Sequence, residues 1–174
     1  MLPSLTLVLG GAASGKSAFA ENLVRRAGNR RLYLATAEAY DGEMQRQIAQ
    51  HRQARAADGW TTVEAPLDLG PALAAAGADQ AVLLDCATLW LSNHMLGGSD
   101  LAGAEAALFA SLAACAAPVV IVSNEVGLSV VPDNALARRF QRAQGALNQR
   151  LAEQAGLVVF IAAGLPMTLK GALP

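Results

Sequence analysis

A glycine-rich phosphate-binding loop is the clearest chemical signal in this 174-residue sequence. The segment reads Gly10-Gly11-Ala12-Ala13-Ser14-Gly15-Lys16-Ser17 and fits G-x-x-x-x-G-K-[ST] at every fixed position. Such a loop aims backbone N–H groups at phosphate oxygens, and the dipole of the helix that follows attracts the same anion. We predict that Lys16 bridges the β- and γ-phosphates of a nucleotide and that the Ser17 hydroxyl ligates Mg²⁺. A glycine turn that only caps a helix is the alternative, which the complete motif disfavours.

A carboxylate at the end of an apolar run supplies what this loop needs to hold a metal. Asp85 follows residues 81–84, as the metal-binding carboxylate of phosphate-loop proteins follows a buried strand. An ordinary strand-end carboxylate that caps residues 88–91 is the alternative. We favour the Mg²⁺ role, because the loop requires such a group. Together these features predict binding of a nucleoside triphosphate without identifying an acceptor.

A histidine between basic residues is the second candidate for chemistry. On a predicted helix over residues 42–57, four side chains share one face by their spacing: Ile48, His51, Arg52 and Arg55. Nearby cations depress the pKa of an imidazole, which keeps it neutral and nucleophilic, and arginines neutralise a phosphate under attack. A solvated basic helix face explains the same spacing. The spacing alone leaves both interpretations open.

The remaining candidates are mostly assigned to packing. His94 lies among Leu91, Met95 and Leu96 and is predicted to be a packing or helix-end residue. The two tryptophans at positions 60 and 90 are interpreted as core aromatics rather than as stacking platforms for a ligand. Glu125 is either a general base for a substrate hydroxyl or a carboxylate that holds a loop through backbone N–H groups, and the sequence leaves these alternatives even.

The segments that must position these residues alternate between strands and helices. Strands are predicted at residues 5–9, 32–35, 61–64, 81–85, 119–123 and 157–162, and helices at residues 17–27, 42–57, 67–76, 102–116 and 134–155. Several strands are continuously apolar, which is typical of parallel strands covered on both faces. The alternation predicts a doubly wound α/β fold, in a single domain over residues 1–174.

The composition excludes several classes of protein. Hydrophobic residues make up 53% of the chain and charged residues 16%, which excludes intrinsic disorder. The net charge of −1 leaves no basic surplus for binding nucleic acid, and we find no uninterrupted apolar run long enough to span a membrane. Cys86 and Cys115 are too few for a disulfide framework, and with two histidines they do not support a transition-metal site. We therefore expect a cytoplasmic protein.

Further stretches complete a recognisable pattern. They are Tyr33-Leu34-Ala35-Thr36-Ala37, Asp41…Glu43-Met44…Ile48…His51-Arg52…Arg55…Trp60…Glu64, Leu84-Asp85-Cys86…Thr88-Leu89-Trp90-Leu91…Asn93, Ser123-Asn124-Glu125-Val126-Gly127…Val131-Pro132, Arg138, Gly145…Asn148-Gln149 and Gly164-Leu165-Pro166…Leu169-Lys170. With them, the sequence resembles the bifunctional adenosylcobinamide kinase/adenosylcobinamide-phosphate guanylyltransferase family of cobalamin biosynthesis. The phosphate loop alone is shared by many families, whereas the histidine segment together with Asn-Glu-Val-Gly…Val-Pro is specific.

The resemblance implies a fold and two reactions. The implied fold is a RecA-like P-loop NTPase domain with a mostly parallel central sheet flanked by helices, assembled as a homotrimer. ATP or GTP would phosphorylate adenosylcobinamide. GTP would then guanylylate His51, and the GMP would pass to adenosylcobinamide phosphate to give adenosyl-GDP-cobinamide and pyrophosphate. The implied nucleotide-binding positions are Gly10–Ser17, Ala35, Thr36, Ala37, Arg52, Gln53, Ala54, Arg55, Glu64 and Asp85.

Three sites depart from the family's usual pattern. Ala13 stands where the loop usually has arginine, Ser129 replaces a common glycine, and Gln141-Arg142 replaces Arg-Asp. These changes bear on phosphoryl transfer or on trimer contacts and leave the loop lysine and the histidine intact. Two other functions remain open from the sequence: a P-loop small-molecule kinase without guanylyl transfer, and a non-catalytic GTP-binding sensor.

Overall fold

Seven strands and five helices lie entirely within the part of the chain that is described. The computed structural model describes residues 1–27, 30–38, 53 and 55–174. The elements in chain order are β1 (Leu5–Gly10), α1 (Lys16–Arg26), β2 (Arg30–Ala35), β3 (Trp60–Glu64), α2 (Gly70–Ala75), β4 (Gln80–Asp85), α3 (Ala87–Leu96), α4 (Leu101–Ala114), β5 (Val119–Asn124), α5 (Ala135–Gln154), β6 (Leu157–Ala162) and β7 (Leu165–Lys170). No helix among these is both long and apolar enough to cross a membrane. The predicted helix over residues 42–57 lies outside the described residues, except for residues 53 and 55–57, which are helical.

The strands form one sheet in the order β3-β2-β4-β5-β1-β6-β7. The first six pair in parallel, and only β7 runs antiparallel, against β6. All six predicted strands are therefore confirmed, as is the mostly parallel α/β fold. Parallel pairing brings the carboxyl ends of six strands to one edge of the sheet, where ligands bind in open α/β folds.

The side chains of the strands divide between two cores, one on each face of the sheet. In β1, Leu5, Leu7 and Leu9 join the core packed against α2–α5, whereas Val8 joins the core packed against α1. Burial on both faces explains why these strands read as continuously apolar runs. The β1 strand is fixed by both cores, so the phosphate loop that follows it begins from a rigid base.

Two elements differ from the sequence predictions. The α3 helix was not predicted, because its apolar residues surround it instead of forming one stripe, and most of its side chains are buried. The β7 strand was also missed, because Gly164 and Pro166 are typical of a turn. Pro166 fits there because β7 is an edge strand, exposed along its length.

Candidate functional site

The phosphate loop has a backbone that only glycine fits at two positions. A side chain on Gly10 would come within 2.5 Å of Ser14 Oγ and 2.8 Å of the Ile161 carbonyl oxygen, and Gly15 has a φ of 92°. The loop is also tied to its neighbours, since Glu125 N donates to Gly10 O at 3.1 Å and Gly164 N donates to Ser14 O at 2.8 Å. The loop is thus held in place before any ligand arrives.

The motif lysine lies inside this loop. Lys16 is only 9% exposed, and its Nζ donates to the Gly11 carbonyl oxygen at 2.9 Å. The ammonium group therefore occupies the concave side of the loop, where a phosphate would replace the carbonyl as its partner.

A cleft of about 360 Å³ next to the loop collects most of the other predicted site residues. Six of them line it, together with three residues that were not predicted: the predicted ones are Ser17, Ala35, Ala37, Arg55, Glu64 and Asp85, and the others are Glu21, Leu89 and Tyr33. Ala35, Glu64 and Asp85 end three adjacent strands, β2, β3 and β4, which explains why they meet.

Tyr33 is the functional candidate that sequence reasoning missed. Its hydroxyl donates to Asp85 Oδ2 at 2.7 Å, and its ring lies edge-on to Trp60 with the centroids 6.1 Å apart. Burial, and then the Asp85 carboxylate, raise the pKa of Tyr33 well above its usual value, so the hydroxyl remains a donor. The sequence contains one signal that could have identified Tyr33. It lies two residues before the predicted site residue Ala35 in the same strand, so both side chains point to the same face of the sheet.

The end of the histidine segment is anchored beside this tyrosine. The Arg55 guanidinium lies 3.6 Å from the centroid of the Tyr33 ring, a cation–π contact. Three residues later, Asp58 forms an ion pair with Arg25 at 2.7 Å, and its carbonyl oxygen accepts from Arg31. Of the remaining predicted residues in this segment, Gln53 is exposed, whereas His51, Arg52 and Ala54 lie outside the described residues.

Thr36 is fully buried, and its side chain serves the fold. The Thr36 hydroxyl donates to the Cys86 carbonyl oxygen at 2.8 Å and accepts from Cys86 N at 2.7 Å, while Asn93 donates to the Thr36 carbonyl oxygen. These bonds join the end of β2 to the turn after Asp85. Burial, and then the Asp85 charge, raise the pKa of the Cys86 thiol, whose sulfur accepts from Leu89 N at the start of α3.

Replacing Thr36 by valine is expected to destabilise the fold. The substitution leaves the buried Cys86 N–H without this partner, at a cost of about 1–3 kcal/mol, whereas the Cys86 carbonyl oxygen keeps its bond from Trp90 N. Thr6 provides a matched control, since it is also fully buried but its hydroxyl has no partner among the described residues. Urea denaturation should show a large loss of unfolding free energy for Thr36→Val and little or none for Thr6→Val. Equal losses would contradict this assignment.

The loop after β5 is held by its own polar groups. Glu125 Oε1 accepts from Gly127 N at 2.7 Å. This contact fits the second of the two alternatives for Glu125, in which the carboxylate holds the loop through backbone N–H groups. Two departures from the family pattern contact each other here, because Gln141 Nε2 donates to Ser129 Oγ at 3.3 Å and to the Val126 carbonyl oxygen at 3.0 Å. The two changes therefore act on one local structure.

The second histidine and both tryptophans are packing residues, as predicted. Trp60 and Trp90 are 4% and 1% exposed. His94 lies in the last turn of α3, where its ring packs edge-on to Trp90 at 4.6 Å and its Nε2 lies 3.3 Å from the Leu67 carbonyl oxygen. The described part of the chain contains no cluster of His, Cys, Asp and Glu that could hold a metal by itself.

Comparisons with known proteins agree with this geometry. Residues 6–169 match the family model described as cobinamide kinase / cobinamide phosphate guanyltransferase. The chain is 47% identical to the bifunctional adenosylcobalamin biosynthesis protein CobP of Pseudomonas aeruginosa, over 95% of this chain and 96% of that one. It is 40% identical to the bifunctional adenosylcobalamin biosynthesis protein CobU of Salmonella typhimurium, over 95% and 99% of the two chains.

The fold has a separate counterpart among solved structures. The crystal structure of the RadB recombinase matches with a TM-score of 0.54 at 18% identity, over 91% of this chain and 74% of that one. This likeness concerns the fold alone and confirms the predicted RecA-like architecture. The family match and the two relatives cover nearly the whole sequence and identify the activity. The chain belongs to the cobinamide kinase / cobinamide phosphate guanylyltransferase family and is a bifunctional, nucleotide-using enzyme of adenosylcobalamin biosynthesis.

Proposed function

We propose that one domain, residues 1–174, carries out both reactions at the carboxyl edge of the sheet. In the first, the hydroxyl of the aminopropanol arm of adenosylcobinamide attacks the γ-phosphate of ATP or GTP, and the nucleoside diphosphate leaves. In the second, a His51 nitrogen attacks the α-phosphate of GTP and pyrophosphate leaves. The GMP then passes from the histidine to adenosylcobinamide phosphate, which gives adenosyl-GDP-cobinamide. A covalent intermediate splits one difficult displacement into two easier ones.

The observation that carries this proposal is the cleft beside the loop lysine. It brings Ser17, Arg55 and Asp85 together from three separate stretches of the sequence. A hydroxyl and a carboxylate can hold the Mg²⁺ of a bound nucleotide, and a guanidinium can pair with its phosphates. We assign the nucleotide to the loop, to Ala35 and Ala37, to residues 52–55 and to Glu64, whereas the buried Thr36 that was predicted with them holds the fold.

Ser17 and Asp85 are the residues that would hold Mg²⁺. Both line the cleft, and few protein ligands are needed, because Mg²⁺ at nucleotide sites takes its remaining oxygens from phosphates and water. The bound ion would neutralise charge that develops on the phosphates. Removing divalent cations with EDTA is therefore expected to abolish both reactions, and added Mg²⁺ to restore them.

The experiment that tests the proposal follows two labels in parallel. The purified chain is incubated with Mg²⁺, adenosylcobinamide and GTP labelled at either the γ- or the α-phosphate. We expect γ-label in adenosylcobinamide phosphate and, retained from it, in adenosyl-GDP-cobinamide, whereas α-label should appear in adenosyl-GDP-cobinamide alone of the two products. A small-molecule kinase without guanylyl transfer would give only the first product. A sensor would bind GTP and give neither.

We further propose that the enzyme works in the cytoplasm as a homotrimer. Its two cysteines are free, as in a reducing compartment. Leu165, Met167 and Leu169 alternate along the exposed edge strand β7 and give it an apolar face of the kind that subunits bury. Light scattering coupled to gel filtration is expected to give three times the mass of one chain.

A further inference from the structure

We propose that Tyr33 is a positioning residue that holds the metal-side carboxylate, Asp85, with its hydroxyl and the nucleotide-side cation, Arg55, with its ring. The proposal rests on the functions proposed above for Asp85 and Arg55. Tyr33 itself is not required to touch the nucleotide. It acts by holding Asp85 and Arg55 in position.

The tyrosine is itself rigidly placed. It lies in the middle of β2, paired with Leu83 of β4 on one side and with Thr62 of β3 on the other. It is 7% exposed, and the Trp60 ring meets it at an interplanar angle of 80°. Because two neighbouring strands hold its backbone and Trp60 packs against its ring, Tyr33 can hold its own neighbours in one arrangement.

The Tyr33 hydroxyl binds one oxygen of Asp85 and leaves further acceptor sites on the carboxylate available to a cation. The bond to Oδ2 is 2.7 Å long, and a carboxylate has two oxygens with about four acceptor sites. A cation or its water shell can therefore bind to the same group. Partners that orient a metal ligand in this way typically change metal affinity by about 10–100-fold when they are removed.

The ring fixes the other charged group. The Arg55 guanidinium lies 3.6 Å from the ring centroid, so the face of the tyrosine sets the position of this cation in the cleft. Arg55 is four residues after His51 in the sequence. Tyr33 thus connects the metal side of the cleft to the segment that carries the histidine.

Two substitutions separate the two contacts. Tyr33→Phe removes the hydroxyl and keeps the ring, whereas Tyr33→Leu removes both. Thr62→Val is the matched control, because Thr62 pairs with Tyr33 in the sheet and its hydroxyl has no partner among the described residues. The ligand is α,β-methylene GTP, whose carbon bridge blocks guanylyl transfer, and no acceptor is present for the γ-phosphate.

The first measurement is the affinity for Mn²⁺, a spectroscopic substitute for Mg²⁺, by electron paramagnetic resonance with this analogue bound. We expect Tyr33→Phe to weaken Mn²⁺ binding about 10-fold or more and Thr62→Val to leave it unchanged. Asp85→Asn should weaken it at least as much, and Tyr33→Phe should add nothing in that background. Normal Mn²⁺ binding by Tyr33→Phe but not by Asp85→Asn overturns the inference. Normal binding by Asp85→Asn refutes instead the proposed metal role of Asp85.

The second measurement is the affinity for the analogue in EDTA. Here Tyr33→Phe is expected to bind like the wild type, because the ring still holds Arg55. Tyr33→Leu should bind about two- to fivefold more weakly, the effect of one cation–π contact. Arg55→Gln tests the nucleotide contact itself. If Arg55→Gln weakens binding and Tyr33→Leu does not, the ring has no positioning role.

Discussion

Replacing Lys16 by methionine is expected to remove both nucleotide binding and turnover. The lysine is buried in the loop, with Nζ 2.9 Å from the Gly11 carbonyl oxygen, and methionine fills similar space without the charge. Loss of one preorganised group that stabilises transition-state charge costs about 10²–10³-fold in rate. The kinase rate should fall at least this far. Guanylylation should fall with it, because GTP occupies the same loop.

Thermal unfolding separates this effect from a loss of folding. A ligand at 100 times its dissociation constant stabilises the native state by about 2.7 kcal/mol. Wild type should therefore melt at a higher temperature with Mg²⁺ and GTP, whereas Lys16→Met should melt at the same temperature with or without them. Without nucleotide, the variant should be about as stable as the wild type, since it no longer buries an ammonium group.

The only other lysine provides the control. Lys170 lies in β7, where its Nζ donates to the carbonyl oxygens of Ala152 and Glu153 at the end of α5. Lys170→Met should lose some stability and keep the full response to GTP. If Lys16→Met still responds to GTP, the loop lysine does not contact the phosphates.

The fold was predictable from sequence where a local pattern determines the structure. The strands of the parallel sheet are buried on both faces, and their apolar runs are visible without tertiary information. The α3 helix is different, because it lies in the core and has no polar stripe to give it a helical period. Its ends depend on contacts that a sequence does not display, such as the bond from Leu89 N to Cys86 Sγ.

The residues of the candidate site likewise divide into those that a local sequence pattern reveals and those that depend on distant contacts. The phosphate loop and Asp85 have fixed spacing or a strand-end position, so they were found from the sequence. The Tyr33 hydroxyl and the buried side of Thr36 depend on contacts with residues about fifty positions away, Asp85 and Cys86. The sequence places Tyr33 and Thr36 in one motif, but only the structure shows that one faces the cleft and the other holds the backbone.

Replacing His51 by alanine is expected to abolish covalent attachment of GMP and to spare the phosphorylation of adenosylcobinamide. His51 lies outside the described residues, so the prediction rests on the family and on the geometry around its neighbours. Wild type incubated with Mg²⁺ and GTP labelled at the α-phosphate should retain acid-labile label after denaturation. His51→Ala should retain none, because no other side chain replaces the nucleophile.

The second histidine makes this test specific. A phosphoramidate can form only on a nitrogen that reaches the α-phosphate, and the chain has two histidines. The His94 ring is 9% exposed, packed against Trp90, with Nε2 beside the Leu67 carbonyl oxygen. His94→Gln should therefore keep the label, whatever stability it loses. Label that survives in His51→Ala and disappears in His94→Gln would identify His94 as the nucleophile and contradict the prediction. Absence of label from a wild type that binds GTP would reduce the second reaction to direct transfer, with no covalent step.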